Sequence, residues 1–286
     1  MVSSPAKILV GIDGSSNSVA ALRWSLALAE ATGGNVTALS AWTNPTATLQ
    51  PLVGGAVPPI DYLAEQAKVR LSEVIGSVPG AADVHQRVIM GAARSALSEA
   101  SEDHDVLVLG RTGHGRLNRL VLGSIASYNA RNAQSPVVIV RDSFQPTGAI
   151  TVAVDASPCS MEALLWALSL GPDHEVVAVY SHDERQLDDL PLDDQARVKL
   201  DASAEELLGA AVQNLLDENG IDASRVSLET REGDPRTTVV EQADPDHLLV
   251  LGAQGHSGLA RWALGSLADF AVDHAPGTVA VWRPKA

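Results

Sequence analysis

VLVLGRTGHGRLNRLVLGS, residues 106–124, is the stretch whose reading decides the fold. Val106–Leu109 is a continuous apolar run, the pattern of a strand covered on both faces of a parallel sheet. The run stops at Gly110. Two residues separate Gly110 from Gly113, nine more lead to Gly123-Ser124, and SIASYNARNA then reads as a helix. A strand, a glycine turn and a helix start in that order suit anion binding. Glycines let backbone N–H groups approach a phosphate, and the helix start adds unpaired N–H donors and a positive dipole end. The alternative is that Gly110 and Gly113 only turn the chain and Gly123 is a packing glycine.

The same spacing returns in LLVLGAQGHSGLARWALGS at Gly252, Gly255, Gly265 and Ser266, each 142 positions after its counterpart. Asp13 and Asp155, Trp24 and Trp166, Gly91 and Gly233, Arg94 and Arg236, and Arg141 and Arg283 keep that offset. The chain is two copies of one domain-sized unit, with boundaries expected at 1–146 and 147–286.

Composition narrows the function. No basic segment leads an apolar stretch at the start and no run of eighteen apolar residues occurs, so neither export nor membrane spanning is expected. The single cysteine, Cys159, rules out an intrachain disulfide and a cysteine metal cluster, and suits a reducing cytoplasm. The net charge of −15 falls wholly on the second half, since residues 1–146 carry 11 basic against 11 acidic residues and residues 147–286 carry 9 against 24. That balance argues against a nucleic-acid partner. The acidic run from Asp183 reads as a solvated loop and helix face.

In chain order, Lys7–Ile12 reads as a first strand ending at Asp13-Gly14-Ser15-Ser16. An aspartate there stands at the crevice beyond the strand ends, where open α/β sheets bind ligands. Its other role would be a helix cap; with Ser16 or Ser18 able to cap a helix over Val19–Ala31, the carboxylate is expected to be available for a ligand. Strands follow at Asn35–Trp42, Val84–Ile89 and Pro136–Val140. Helices are expected over Ile60–Val78 and Ser95–Ser101, with a Pro- and Gly-rich loop over Thr43–Pro59 and a linker over Asp142–Gly148. Each copy is therefore a five-stranded parallel doubly wound, Rossmann-like α/β unit.

G-x2-G-x9-G-S between a strand and a helix, with Asp13 at the first strand's end, resembles the universal stress protein family. The duplication resembles its tandem-domain members, and the resemblance covers essentially the whole chain. It implies ATP binding, with Mg2+, as a nucleotide-dependent regulator or sensor of the stress response, one site per domain. Carried over residue by residue, it implicates Gly11, Asp13, Gly110, Arg111, Gly113, Gly115, Gly123, Ser124 and Ile125, with Ala41 beside the adenine. In the second copy it implicates Ala153, Asp155, Gly252, Gln254, Gly255, Gly265, Ser266 and Leu267. Asp13 and Asp155 would reach a metal through the Mg-nucleotide. The family also implies a homodimer of tandem chains, an unknown regulatory protein partner, and pairing of the last strands of the two copies. Ala153 and Ala156 stand where the first copy has Gly11 and Gly14, and the second loop is less basic, so the first site is expected to bind more tightly.

No Walker loop, dinucleotide fingerprint, nucleophile elbow or HExxH spacing occurs. Two functional classes remain: a nucleotide-binding module, or a slow ATP hydrolase or ATP-using transferase of the same fold. No lysine lies near either glycine loop, which favours binding over phosphoryl transfer.

Overall fold

The apolar runs become five parallel strands in each half of the chain. The structure, a computed structural model, describes residues 4–44, 59–113, 122–141, 148–171, 174–182, 194–255 and 264–284. But for a few terminal residues, the chain divides into Pro5–Asp142 and Ser143–Pro284.

In the first unit β1 (Lys7–Gly11), α1 (Ser16–Thr32), β2 (Asn35–Trp42), α2 (Ile60–Gly76), β3 (His85–Met90), α3 (Ala93–Ala100), β4 (Val106–Gly110), α4 (Ser124–Asn132) and β5 (Val137–Val140) follow one another. The strand order is β3-β2-β1-β4-β5, all parallel. The second unit repeats it with β6 (Ile150–Ala153), α5 (Pro158–Ser169), β7 (Val176–His182), α6 (Asp194–Asn219), β8 (Val226–Glu232), a π-helical turn (Arg236–Glu241), β9 (Leu248–Gly252), α7 (Ser266–His274) and β10 (Val279–Trp282). Its order is β8-β7-β6-β9-β10.

The central strands lose all contact with solvent: Ile8, Leu9 and Val10 of β1 and Val106, Leu107 and Val108 of β4 are fully buried. Each such side chain contributes about 1.5–3 kcal/mol of hydrophobic stabilisation. Helix α1 covers them with Ala21, Leu22, Trp24 and Leu28. It begins earlier than its apolar pattern suggests, because Ser15, and not Ser16 or Ser18, is the N-cap and accepts from the Ser18 N–H. Gly33 ends it in the left-handed region, at φ 68°. Among the described residues no helix is long and apolar enough to cross a membrane.

The connection after β1 runs to one side of the sheet and β4 arrives on the other, so the crevice opens where β1 and β4 end side by side. The two halves are not in constant register around it. Gly11 lies beside Leu39, and Ala153 beside Val179, so the offset of 142 in the first strands becomes 140 in the second. Helix α5 has 12 residues against 17 in α1, and the slip falls between helix and strand. It makes Ser181 the counterpart of Ala41.

Ala156 occupies a position the sequence of the first half gives to Gly14. Gly14 has φ 83° and Ala156 has φ 60°, the one non-glycine residue with positive φ among those described. A Cβ in that region costs roughly 1–2 kcal/mol. Ala156→Gly is therefore expected to raise stability by about 1 kcal/mol after the extra chain entropy of glycine is counted. The reading is the denaturant midpoint of the second half's transition, and an unchanged or lowered midpoint would contradict the strain.

Candidate functional site

Each half gathers the residues singled out in the sequence around one cavity at the carboxyl ends of its strands. In the first, Gly11, Asp13, Ala41, Gly110, Arg111, Gly113, Gly123, Ser124 and Ile125 line a cavity of about 260 Å3. Gly115 and the basic residues His114, Arg116 and Arg119 lie outside the described residues. In the second, Ala153, Asp155, Gly252, Gln254, Gly255, Gly265, Ser266 and Leu267 line one of about 380 Å3. His256 and Arg261 there are likewise outside the described residues.

The glycines divide into two roles. A Cβ on Gly110 would lie 2.6 Å from the carbonyl carbon and oxygen of Asn17, and one on Gly252 would lie 2.9 Å from the Cys159 Sγ. These two let β4 and β9 pack against the first turns of α1 and α5. Gly113 and Gly255 instead face the strand-end carboxylates. A Cβ on Gly113 would collide with Asp13 Oδ2, and one on Gly255 would lie 2.8 Å from Asp155 Oδ2.

The carboxylate of Asp13 is not simply available, as the serine count in the sequence had implied. Its Oδ1 accepts from the Ser15 N–H at 3.0 Å and from the Ser15 hydroxyl at 2.6 Å. Asp155 Oδ1 accepts from the Ser157 N–H at 3.0 Å. This turn holds the side chain at a fixed angle, with Oδ2 directed at the glycine turn.

Gly123 joins that turn to the next helix. It is the N-cap of α4, with no side-chain cap, and its N–H donates to the Arg111 carbonyl at 2.8 Å. The first intrahelical bond from this end is the Ser127 N–H to the Gly123 carbonyl, so the N–H groups of Ser124, Ile125 and Ala126 have no acceptor within the helix. Gly265 repeats the arrangement, donating to Ala253 at 2.7 Å. Three groups that suit a phosphate therefore converge: glycine-turn backbone, uncapped helix start and serine hydroxyl.

One anchor escaped the sequence reading. The Asn17 side chain donates to the Thr112 carbonyl at 3.0 Å and to the Thr112 hydroxyl, fastening the glycine turn to α1. Its counterpart is Cys159, whose sulfur meets the backbone N–H groups of Gln254 and Ala253. Burial pushes that thiol up, with those N–H groups pulling the other way. No signal in the sequence sets Asn17 apart from an ordinary first-turn residue.

The two sites differ in charge. Arg111 matches Ala253, not Gln254, which matches Thr112. The first turn of α4 carries no acidic residue, whereas that of α7 carries Asp269.

A parallel α/β unit with its glycine turn, helix start and strand-end carboxylate in one crevice, built twice in one chain, defines a tandem-domain protein of one class. The model of the universal stress protein family matches residues 6–141 and again 147–283, and the chain belongs to that family. A universal stress protein of Mycolicibacterium smegmatis is 26% identical to it over 301 residues, with 97% of each chain covered. One of Mycobacterium tuberculosis is 27% identical over 290 residues, with 96% of each covered. Among solved structures, a universal stress protein from Archaeoglobus fulgidus matches with a TM-score of 0.66 at 19% identity, over 97% of this chain and 98% of that one. That likeness speaks to the fold.

Proposed function

We propose that the chain is a nucleotide-dependent stress-response regulator. It holds one adenine nucleotide, ATP with Mg2+, in each half, and filled and empty states present different surfaces to a protein partner. One observation carries this reading. In each half every described member of the G-x2-G-x9-G-S pattern meets the strand-end aspartate in one cavity, although the two come from strands far apart in sequence.

The residues fit the ligand's parts. The triphosphate lies along Gly110–Gly113 and the start of α4, where N–H donors and the positive helix end serve an anion. The base lies at the other end, against β2. Mg2+ supplies the positive charge that lets phosphates and a carboxylate share one site. In this reading the ion arrives with the nucleotide. Arg111 in the first half, against Ala253 and the nearby Asp269 in the second, makes the first site the tighter.

Denaturing freshly purified protein and identifying what it releases by mass spectrometry tests the reading. An adenine nucleotide is the expected product. No nucleotide released, and none bound on titration, would overturn it.

A further inference from the structure

The glycine-loop ends of the two cavities share their glycines, serine and aspartate; the opposite ends differ in their side chains. In the first half that end is closed by Leu39, Ala41, Ala93 and Leu97, whose side chains hold no heteroatom. In the second, the same four places hold Val179, Ser181, Pro235 and Val239, and Asp234 and Arg236 join the lining, the Arg236 guanidinium standing over the Phe270 ring at 5.6 Å. The counterpart of Asp234, Ala92, is exposed. Each leucine replaced by valine sheds a methylene, which agrees with the larger second cavity.

Asp234 and Ser181 are held in place by one hydrogen-bond network. Asp234 Oδ1 accepts from the Arg236 N–H at 2.9 Å, and its carbonyl accepts from the Thr238 N–H at 3.0 Å and hydroxyl at 3.1 Å. Ser181 Oγ donates to the Gly233 carbonyl at 2.8 Å and lies 2.7 Å from Thr238 Oγ1. Whether the Ser181 proton goes to the Gly233 carbonyl or to Thr238 Oγ1, it is used within the network, which leaves Ser181 to accept from a ligand, and a carboxylate only accepts. Among the described residues no hydrogen bond or ion pair reaches Asp234 Oδ2. Asp234 and Ser181 thus offer two acceptors where the first half is aliphatic, and the guanidinium beside them, that of Arg236, lies over the Phe270 ring.

We propose that the second cavity reads the exocyclic amino group of a purine through Asp234 and Ser181, whereas among its described residues the first has no side chain at those places able to read it. This rests on the nucleotide reading above. Adenine presents an amino group at position 6. Hypoxanthine presents a carbonyl oxygen there, whose lone pairs face both acceptors. A site that accepts from a ligand N–H disfavours the analogue that lacks it, because the half-buried Asp234 and Ser181 would be left facing its carbonyl oxygen.

The test titrates the full-length chain with ATP and with inosine triphosphate, both with Mg2+, in the wild type and in Gly123→Val, where the second site is read alone. ATP should fill two wild-type sites. Inosine triphosphate should fill the first with similar affinity and the second at least tenfold more weakly. Asp234→Asn keeps an oxygen for the Arg236 N–H and replaces the other by an amide donor, so it should reverse the second-site preference and leave the first site unchanged. Ser181→Ala should narrow the preference without reversing it. Equal filling of both sites by both nucleotides overturns this inference and leaves the nucleotide reading standing. So does an Asp234→Asn variant that weakens both nucleotides equally. Binding of neither nucleotide overturns both.

Discussion

Gly123→Val is expected to leave one nucleotide per chain where the wild type holds two. The reason lies in the loop, since Gly123 has φ −70° and ψ 145°, a conformation open to any residue. Its Cβ position, however, lies 3.0 Å from the Arg111 carbonyl oxygen and 3.2 Å from the Thr112 Cα. The branches of valine reach further and push the glycine turn away from the helix start. Affinity at the first site should fall at least a hundredfold, about 2.7 kcal/mol. Gly265 is looser, its Cβ position standing 3.5 Å from the Ala253 carbonyl oxygen, an ordinary contact. Gly265→Val should also silence its own half, whereas Gly265→Ala should bind nearly as wild type and Gly123→Ala should not. Calorimetric stoichiometry decides: two nucleotides bound in Gly123→Val would remove this glycine from the site.

The second large effect belongs to Asp13 and Asp155. Asparagine keeps the oxygen that accepts from Ser15 or Ser157 and so preserves the turn; it removes the charge that faces Gly113 or Gly255. A lost charge-assisted interaction is worth ~1.5–3 kcal/mol, roughly ten- to a hundredfold in affinity. Magnesium separates two ways of losing it. A carboxylate that works through the metal makes Asp13→Asn costly with Mg2+ and mild with EDTA, whereas one that accepts from ribose or base makes the loss alike in both. Unchanged affinity in the Asp13→Asn, Asp155→Asn double variant, with the fold intact by circular dichroism, would make the aspartates turn formers only.

The parts legible in the sequence were those written in contiguous residues. Val106–Leu109 and Leu248–Leu251 announce buried parallel strands because both of their faces are covered, and the repeated G-x2-G-x9-G-S locates the crevice. What was not legible depends on groups brought together by folding. The role of Gly110 is set by Asn17, nearly a hundred positions away, and looks in sequence like any other loop glycine. The hold of Ser15 on Asp13 is local, yet several serines compete on paper and only the backbone chooses among them. Ser181 was hidden by the shortened helix α5, which breaks the offset before β7 and leaves a fixed count of 142 pointing two residues too far. Asp234 reads as a common turn residue until the strands place it over the cavity.

The place of β1 bears on the timing of synthesis. The first strand made is the middle strand of its sheet, and its second neighbour is added only when Ile8 meets Val106, about a hundred residues later. At ribosomal speeds of roughly 5–20 residues per second, one edge of β1 waits about 5–20 s for its partner. The cradle for Asp13 cannot close sooner, because Gly113 and Gly123 follow β4. All of its lining residues, from Gly11 to Ala126, are nonetheless made before Ile150 begins β6. The order of translation thus allows the first cavity to be finished while the second is still unwritten, and β6 then repeats the wait until Leu248 reaches Ile150.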